Sequence, residues 1–399
     1  MNIKLLPTII VKYLIRSAFF LFSLLFPVNE KKITFASYRS VKLEGNLQFI
    51  YQEMANEYKD ITLSILMKKF NGSFFGKLDY VWHMLKACYA LATSKFFIID
   101  DFYFPVYVIK PRKGTEIIQL WHAPGAFKKF GLSTIGKSFG TSKEYLKHVP
   151  IHSNYSRVYV SSQKVVPYYA DAFGLPEESI FPLGVPRTDF FFDHDKMNDS
   201  VNKFYLRFPE LINKKLILYA PTYRGDSHNQ DHFNCPIDIP LLREIVGDEY
   251  ALIINLHPYM KKSININKKD ENFAFLMNGE FSIEDLLAAT DILITDYSSV
   301  IFDYSILEKP MAFYATELED YKEERDFYFD YESFIPGPLF TETQSLGKWI
   351  YEGVFNKAEI SKFKNEFFDF IDGNASKRIV DHLQGKEVAE QKKELLSNV

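Results

Sequence analysis

Cysteine is scarce in this chain: Cys88 and Cys235 are the only two among 399 residues. They lie far apart, so they suit neither the disulfide framework of a small secreted protein nor the paired ligands of a zinc site. A reducing compartment such as the cytoplasm fits this composition. Neither sign of charge predominates, with 47 basic and 51 acidic residues. This balance gives no general reason to expect nucleic-acid binding.

A long uninterrupted hydrophobic run is also missing. Residues 5–27 are strongly apolar, but Lys12 and Arg16 interrupt them. The apolar run after Arg16 is shorter than the roughly 20 residues that span a bilayer, and no small-residue cleavage site follows it. We expect residues 1–28 to form an amphipathic helix in the plane of the membrane surface, with lysines near anionic head groups. The alternative is a helix docked on the protein's own core.

Several motifs of familiar catalytic sites are absent. The chain has no Walker A loop, no Gly-x-Gly-x-x-Gly loop and no Gly-x-Ser-x-Gly nucleophile elbow. We identify no Asp-x-Asp turn that bounds a metal site of the kind many sugar transferases use. No metal and no other cofactor is therefore predicted, since lysine, arginine and helix N-termini can neutralise phosphate charge.

The chain does contain two series of short apolar strands that alternate with helical patterns, which predicts parallel sheets. The polar segment 190–215 separates the two series. We therefore predict an α/β fold of two Rossmann-type domains, residues 29–195 and 196–385, which face a cleft, and a polar tail at 386–399. Two stretches have clear helical patterns, Tyr80–Ala92 and Ile360–Leu383. The predicted strands are Ile33–Tyr38, Ile61–Met67, Phe96–Ile99, Glu116–Trp121, Val158–Ser161, Leu216–Ala220, Tyr250–Leu256, Phe273–Met277, Asp291–Thr295 and Met311–Tyr314.

The most informative segment is residues 287–316, where a strand runs into the polar turn Thr295-Asp296-Tyr297-Ser298-Ser299 and a helical pattern follows. In open α/β sheets, ligands bind outside the carboxyl ends of the strands. A helix that begins there with Asp and Ser side chains offers hydroxyls and backbone N–H groups to a phosphate. The turn is therefore predicted to bind the phosphates of a nucleotide-linked donor. The alternative is that Ser298 or Ser299 only caps the helix.

His122 follows another predicted strand, and a Pro-Gly turn with Lys128 and Lys129 comes next. A histidine in this company can take a proton from a hydroxyl beside cations that attract phosphate. A lone histidine at a strand end is more often structural, but the neighbouring lysines favour a catalytic role. His122 is therefore the predicted general base.

Three further polar turns carry candidate phosphate-binding side chains. They are Gly184–Asp189 with Arg187, Ala220–Asp226 with Thr222 and Arg224, and Asn255–Tyr259 with His257. Each is unspecific alone, and Arg187 could instead form a surface pair with Asp189. Three consecutive strand ends that carry Arg224, His257 and the Asp-Tyr-Ser-Ser turn are harder to explain by packing.

In chain order, these motifs resemble those of the CDP-glycerol glycerophosphotransferases of teichoic acid synthesis. The resemblance covers roughly residues 115–340. Its motifs are Trp121-His122 with Lys128-Lys129 and Gly131, Gly184 to Asp189, Ala220-Pro221-Thr222-Tyr223-Arg224, His257-Pro258, Thr295 to Ser299, and Ile335-Pro336-Gly337-Pro338.

The resemblance implies a GT-B fold and peripheral attachment to the cytoplasmic side of the cell membrane. It implies transfer of glycerol phosphate from CDP-glycerol, bound by the C-terminal domain, to a hydroxyl of an undecaprenyl-diphosphate-linked acceptor, with release of CMP. Other teichoic acid enzymes are further candidate partners. His122 would deprotonate the acceptor. The pyrophosphate and the departing CMP would be held by His257, Arg224, Thr222, Asp296, Tyr297, Ser298 and Ser299, with Lys128 and Arg187 as secondary contacts.

Residues 121–129 also point to a branch of the family. They read Trp-His-Ala-Pro-Gly-Ala-Phe-Lys-Lys, which resembles the primases that add the first glycerol phosphate to a ManNAc-GlcNAc disaccharide. Chain-extending polymerases usually read Trp-His-Gly-Thr-Pro-x-Lys-Lys. The alternatives are a glycerol-phosphate polymerase, a ribitol-phosphate transferase, a capsule polymerase, a sugar transferase that uses UDP- or GDP-sugars, and a catalytically silent membrane scaffold.

Overall fold

The chain divides into two compact units. A computed structural model describes residues 5–69, 73–137, 139–222, 235–256, 264, 266–277 and 279–386. The first unit comprises Met1–Asp189 and Phe368–Val399, and the second comprises Phe190–Phe367. The division thus falls a few residues before the predicted boundary at 195/196. The chain also returns to the first unit at Phe368, within the segment that the sequence assigns to the C-terminal domain.

Each unit contains a six-stranded parallel sheet, with strand orders β2-β1-β3-β4-β5-β6 and β12-β11-β10-β7-β8-β9. The first sheet consists of β1 (Asn29–Ser37), β2 (Thr62–Met67), β3 (Ser94–Ile99), β4 (Glu116–Gln119), β5 (Arg157–Tyr159) and β6 (Ile180–Phe181). The second consists of β7 (Lys215–Tyr219), β8 (Tyr250–Ile254), β9 (Ala274–Leu276), β10 (Ile292–Thr295), β11 (Met311–Tyr314) and β12 (Leu339–Phe340).

Helices connect the strands, as the alternating pattern predicts. They are α1 (Leu6–Leu25), α2 (Gly45–Glu57), α3 (Phe74–Thr93), α4 (Phe104–Val108), α5 (Lys143–His148), α6 (Val166–Phe173), α7 (His194–Arg207), α8 (Ile239–Val246), α9 (Ile283–Ala289), α10 (Val300–Ser305), α11 (Leu318–Glu324), α12 (Tyr331–Phe334), α13 (Thr343–Glu352), α14 (Lys357–Phe367) and α15 (Ala375–Leu383).

Most strands contain a run of buried apolar residues, as expected of parallel sheets that are covered on both faces, whereas β1 begins with the exposed residues Asn29-Glu30-Lys31. In the first unit, Phe35 and Ile98 are fully buried in a cluster that also takes Ile379 from α15. In the second unit, Ile254 and Ile294 share a core with side chains of α8 and α13. Each such side chain contributes about 1.5–3 kcal/mol through burial.

The sequence prediction of the strands is confirmed, with shifted ends. β4 stops at Gln119, so Trp121 lies in the turn rather than in the strand. β6 and β12 have two residues each and escape prediction because so short a run has no readable period. The predicted helix Ile360–Leu383 is two helices, α14 and α15, which belong to different units.

Helix α1 is long and apolar enough to cross a membrane by length and composition, with a mean hydropathy of 1.7. It packs against α3 and α4 and buries Ile15 and Phe19. Its two charged side chains bind the unit itself: Lys12 Nζ donates to the His148 carbonyl (2.7 Å) and Arg16 Nε to the Val108 carbonyl (2.6 Å). The Lys12 ammonium thus binds a carbonyl of its own unit, and the expectation that lysines of this segment lie near anionic head groups stays a prediction.

Candidate active site

His122 lies in the turn that follows β4, directly after a residue with unusual backbone geometry. Trp121 has a φ of 50°, in the left-handed region that non-glycine residues seldom adopt. Its ring stacks on those of His122 (centroids 4.5 Å apart) and Phe130 (5.2 Å). Residues in such conformations persist only where their surroundings hold them, and they cluster at functional sites. The turn therefore presents His122 in a fixed orientation.

Hydrogen bonds from α2 and from the turn after β6 hold this backbone in place. The Asn46 Nδ2 atom donates to the Trp121 carbonyl (2.8 Å), and Asn46 Oδ1 accepts from the Arg187 amide (3.0 Å). Arg187 Nη2 donates to the His122 carbonyl (3.2 Å). Arg187 is only 8% exposed, so the alternative of a surface pair with Asp189 is wrong. Asp189 instead accepts from the Ala375 amide at the start of α15.

A carboxylate and a guanidinium lie beside the imidazole. Asp101, which follows β3, places Oδ2 3.5 Å from His122 Nδ1. Arg39, which follows β1, places Nη1 3.2 Å from the same Oδ2 atom. Sequence reasoning missed Asp101 and Arg39. The signal was available for Asp101, because it follows a buried apolar strand just as His122 does.

His122 is a neutral base in these surroundings. Burial lowers the pKa of His122 well below its ordinary value, and the cations Arg39, Arg187 and Lys128 lower this pKa further, while the backbone carbonyl of Asp100 opposes them. The side chain is still 39% exposed. An accessible imidazole that is unprotonated at neutral pH can accept a proton from a hydroxyl. The structure thus brings the predicted residues Lys128 and Arg187 to the surroundings of His122.

In the second unit, the strand order places β10, β7 and β8 side by side. The turns that begin after these strands therefore start at neighbouring positions, as the sequence predicts. Thr222 lies in the turn after β7 and is partly exposed. Arg224 and His257 lie outside the described residues, so their roles stay predictions.

Asp296 joins two of these turns. Its Oδ1 atom accepts from the amides of Thr222 (2.7 Å) and Tyr297 (2.5 Å), and its carbonyl accepts from the Tyr331 hydroxyl (3.1 Å). Asp296 is 1% exposed. A carboxylate repels phosphate, whereas here it orients the backbone of both turns. This arrangement favours an organising role for Asp296 over direct contact with a donor.

Tyr297 is packed inside the second unit. It is fully buried, and its ring stacks on Tyr321 at 3.8 Å, with a tilted contact to Phe327 and an edge contact to Tyr331. Its role as a substrate-binding residue stays a prediction that this burial does not favour. The aromatic side chains of Tyr321, Phe327 and Tyr331 instead pack against Tyr297 and hold the turn in place.

Ser298 and Ser299 are the partly exposed members of the turn. Ser298 Oγ accepts from the Val300 amide (3.3 Å), whereas Ser299 makes no side-chain cap to α10. Because α10 has six residues, its macrodipole is small. The serine hydroxyls are therefore the groups of this turn that can reach a phosphate oxygen.

A metal site has no obvious ligand set here. No group of three His, Cys, Asp or Glu side chains that could hold a metal ion occurs within the described part of the chain. Asp193-His194-Asp195 has the Asp-x-Asp pattern, but Asp193 caps α7 by accepting from the Lys196 amide (3.0 Å). The pattern therefore serves the helix start.

Known proteins are similar to this chain in sequence and in fold. The family model described as CDP-glycerol:poly(glycerophosphate) glycerophosphotransferase matches residues 18–385. A teichoic acid ribitol-phosphate primase of Bacillus spizizenii is 41% identical over 382 residues, which cover 95% of this chain and 97% of that protein. A teichoic acid glycerol-phosphate primase of Bacillus subtilis is 33% identical over 304 residues, which cover 76% of each chain.

Among solved structures, a variant of the wall teichoic acid polymerase TagF soaked with CDPG matches with a TM-score of 0.77. It is 23% identical, and the match covers 94% of this chain and 93% of that one. The predicted fold class, a GT-B-like α/β fold of two Rossmann-type domains with an added N-terminal helix, is confirmed. The chain belongs to the CDP-glycerol glycerophosphotransferase family and is a transferase of teichoic acid synthesis, as its motifs predict.

Proposed function

We propose that this transferase moves a polyol phosphate from a CDP-linked polyol to a hydroxyl of a lipid-linked acceptor and releases CMP. The observation that carries the proposal is His122, a neutral and partly exposed imidazole flanked by three cations. The acceptor oxygen attacks the phosphorus that bears the polyol, and the bond from this phosphorus to the CMP oxygen breaks. The hydroxyl proton goes to His122, and nearby cations compensate the charge on the phosphates.

The second unit is proposed to hold the donor. Its exposed hydroxyls on Thr222, Ser298 and Ser299 follow neighbouring strands, where ligands of α/β sheets bind. Asp296 accepts hydrogen bonds from the amides of Thr222 and Tyr297, and so it holds the turns after β7 and β10 together. In the same proposal, Arg224 and His257 stabilise the charge that develops on CMP.

The polyol is glycerol in the sequence prediction and in the description of the family. Ribitol is the second candidate, and one observation favours it. The ribitol-phosphate primase is 41% identical along nearly its whole length, whereas the glycerol-phosphate primase is 33% identical over 76% of its length. The proposed acceptor is the ManNAc-GlcNAc disaccharide on undecaprenyl diphosphate that the primase resemblance implies, and no metal or other cofactor is included in the proposal.

One assay separates these possibilities. The purified protein is incubated with CDP-glycerol or CDP-ribitol and a lipid-linked disaccharide analogue, with and without a glycerol phosphate already attached, and the product mass is read. One added unit is the expected result, and the productive donor identifies the polyol. A ladder of products would identify a polymerase. No transfer from either donor to either acceptor would contradict the proposal.

We also propose that the protein attaches to the cytoplasmic surface of the cell membrane through a face formed by α1 and α3. Exposed apolar side chains recur on both helices at spacings of three, four and seven residues, which place them on one side of each helix. This membrane face comprises Leu6, Ile10, Tyr13, Leu14, Phe20, Leu21, Leu24 and Leu25 of α1 and Phe75, Leu78, Trp82 and Tyr89 of α3. Exposed apolar side chains that include Trp and Tyr suit the lipid–water boundary.

A double substitution tests this attachment without removing a helix. Phe20 and Leu24 are 65% and 67% exposed, so Phe20→Glu with Leu24→Glu leaves the packing of α1 intact. We expect the variant to lose co-sedimentation with anionic phospholipid vesicles. Leu206→Glu on α7 is the matched control, because Leu206 is 82% exposed but lies in the other unit. Equal sedimentation of all three proteins would refute the proposed face.

A further inference from the structure

Asp101 is held in place from two strands at once. β3 and β4 are neighbours, with Ile99 paired to Gln119 in the sheet. The Gln119 Nε2 atom donates to the Asp101 carbonyl (3.1 Å), and Asp101 Oδ1 accepts from the Phe102 amide (2.6 Å). The Asp101 side chain is 15% exposed. Its remaining oxygen, Oδ2, is the one that faces His122.

The Nδ1 atom of His122 needs an acceptor or a donor. This atom is buried and makes no hydrogen bond of ordinary geometry in the part of the chain that the structure describes, although the Asp100 carbonyl lies near enough to raise the pKa of the ring. Asp101 Oδ2, at 3.5 Å, lies slightly beyond hydrogen-bond distance. Catalytic hydrogen bonds are often long in the free enzyme and shorten when substrate binds. A buried polar atom without a partner is unfavourable, so we expect Nδ1 and Oδ2 to move closer together until they form a hydrogen bond.

We propose that Asp101 is the positioning residue of the base: its carboxylate accepts the Nδ1 proton of His122 and leaves Nε2 free to take the proton of the acceptor hydroxyl. The same negative charge stabilises the imidazolium that forms when Nε2 is protonated. Arg39 keeps Asp101 in its place by binding the same oxygen. This inference rests on the proposed function, in which His122 is the base.

The charges around His122 make the contribution of Asp101 measurable. Arg39 after β1, Lys128 after β4 and Arg187 after β6 all disfavour the imidazolium. Asp100, the other carboxylate at the end of β3, has its pKa raised to about 7 by burial and by the charge of Asp101, so it is largely protonated below neutral pH. Replacing Asp101 by Asn removes the negative charge nearest to Nδ1. The pKa of His122 then falls, and the low-pH limb of kcat/KM moves to lower pH.

The test compares Asp101→Asn and Asp101→Glu with the control Glu116→Gln. Glu116 lies at the opposite end of β4 and is paired with Arg157 (2.8 Å), so the control also loses an arginine–carboxylate pair in the same unit. We expect Asp101→Asn to lower kcat by roughly 10- to 100-fold, part of the ~10²–10⁴ supplied by a general base. KM should change little and the low-pH limb should shift. Asp101→Glu should recover part of kcat, and Glu116→Gln should match the wild type.

A second readout needs no turnover. ¹⁵N spectra of histidine-labelled protein, with the His122 signals assigned by their loss in His122→Gln, report which ring nitrogen carries the proton. We expect the Nδ1–H form in the wild type and in Asp101→Glu, and a mixture of tautomers in Asp101→Asn. An unchanged tautomer together with an unchanged pH profile would overturn the inference while leaving the proposed function intact. A tautomer change in a protein that transfers nothing from either CDP-polyol would instead refute the proposed function and keep the role of Asp101.

Discussion

The two units use the same position of the same kind of sheet for different purposes. In each, a polar turn follows a central parallel strand, β4 in the first unit and β10 in the second. After β4, the turn exposes a titratable side chain, His122, among three cations. After β10, the titratable side chain, Asp296, is buried and binds backbone amides. A shared topology therefore fixes where a site lies, whereas the hydrogen bonds of each turn decide which residues react and which support them.

The turns after β4 and β10 also differ in backbone geometry. Trp121 is held in the left-handed region beside His122, whereas none of Asp296, Tyr297 and Ser298 has a positive φ. The first turn thus stores strain next to the proposed base, and the second is relaxed and tied to its aromatic neighbours. Substitutions in the two turns should consequently affect different properties, activity in the first and stability in the second.

The largest expected effect is the loss of His122. We expect His122→Ala to lower kcat by ~10²–10⁴-fold, because proton transfer by a positioned base contributes about that much, with little change in thermal stability. Steady-state transfer from the productive CDP-polyol measures kcat. His148→Ala is the control, since His148 lies at the end of α5, outside both turns, and the substitution keeps the carbonyl that binds Lys12 of α1. Near-normal turnover of His122→Ala would remove the contrast between the two turns.

In the turn after β10 we expect the opposite for Asp296, whose loss should reduce stability. We expect Asp296→Ala to lower the free energy of unfolding by about 2–4 kcal/mol, because one buried and one partly buried amide lose their carboxylate acceptor. Ser298→Ala should stay within about 0.5 kcal/mol of the wild type, as partly exposed substitutions usually do, and should instead raise KM for the donor. Denaturant unfolding and initial rates measure these two effects. An Asp296→Ala protein of wild-type stability would show that the carboxylate does not organise the turns.

Much of this difference between the two turns could be predicted from the sequence. The part that could not be predicted has a physical reason. The strands, their parallel arrangement and the positions of both turns follow from apolar runs that end in polar residues. What side chains do within a turn depends on neighbours that are distant in the chain. Asn46 contacts Trp121 and Arg187, and Asp296 contacts Thr222. No local spacing reveals such pairs, so the sequence predicts Asp296 and Tyr297 as substrate-binding residues although both are buried.

The α1 helix illustrates the same limit. Its apolar character and its two cations are visible in the sequence, and both were expected at a membrane surface. The structure turns Lys12 and Arg16 toward carbonyls of its own unit. Most of the large side chains that α1 leaves exposed are apolar. The direction of a side chain on a helix is set by what the helix packs against, and that partner, α3, begins about fifty residues after α1 ends.

The smallest expected effect is that of Asp100, and it is a change in thermal stability that depends on pH. Burial and Asp101 raise the pKa of Asp100 to about 7, above the value of about 3.9 expected in the unfolded chain. The folded protein therefore binds this proton more tightly, so Asp100 favours folding at low pH, and this contribution is lost as the pH rises through 7.

Asp100→Asn keeps the shape of the side chain but cannot titrate. We expect it to raise Tm by a few degrees at pH 8, on a scale of roughly 2–4 °C per kcal/mol. The gain should shrink at pH 5, where Asp100 is protonated in the folded protein. Thermal unfolding at both pH values measures this difference. The comparison is Asp296→Asn, which should not become more stable at pH 8 because its carboxylate is bound by two amides. Equal gains of Asp100→Asn at pH 5 and pH 8 would mean that Asp100 does not titrate between these two pH values in the folded protein, which would contradict a pKa of about 7.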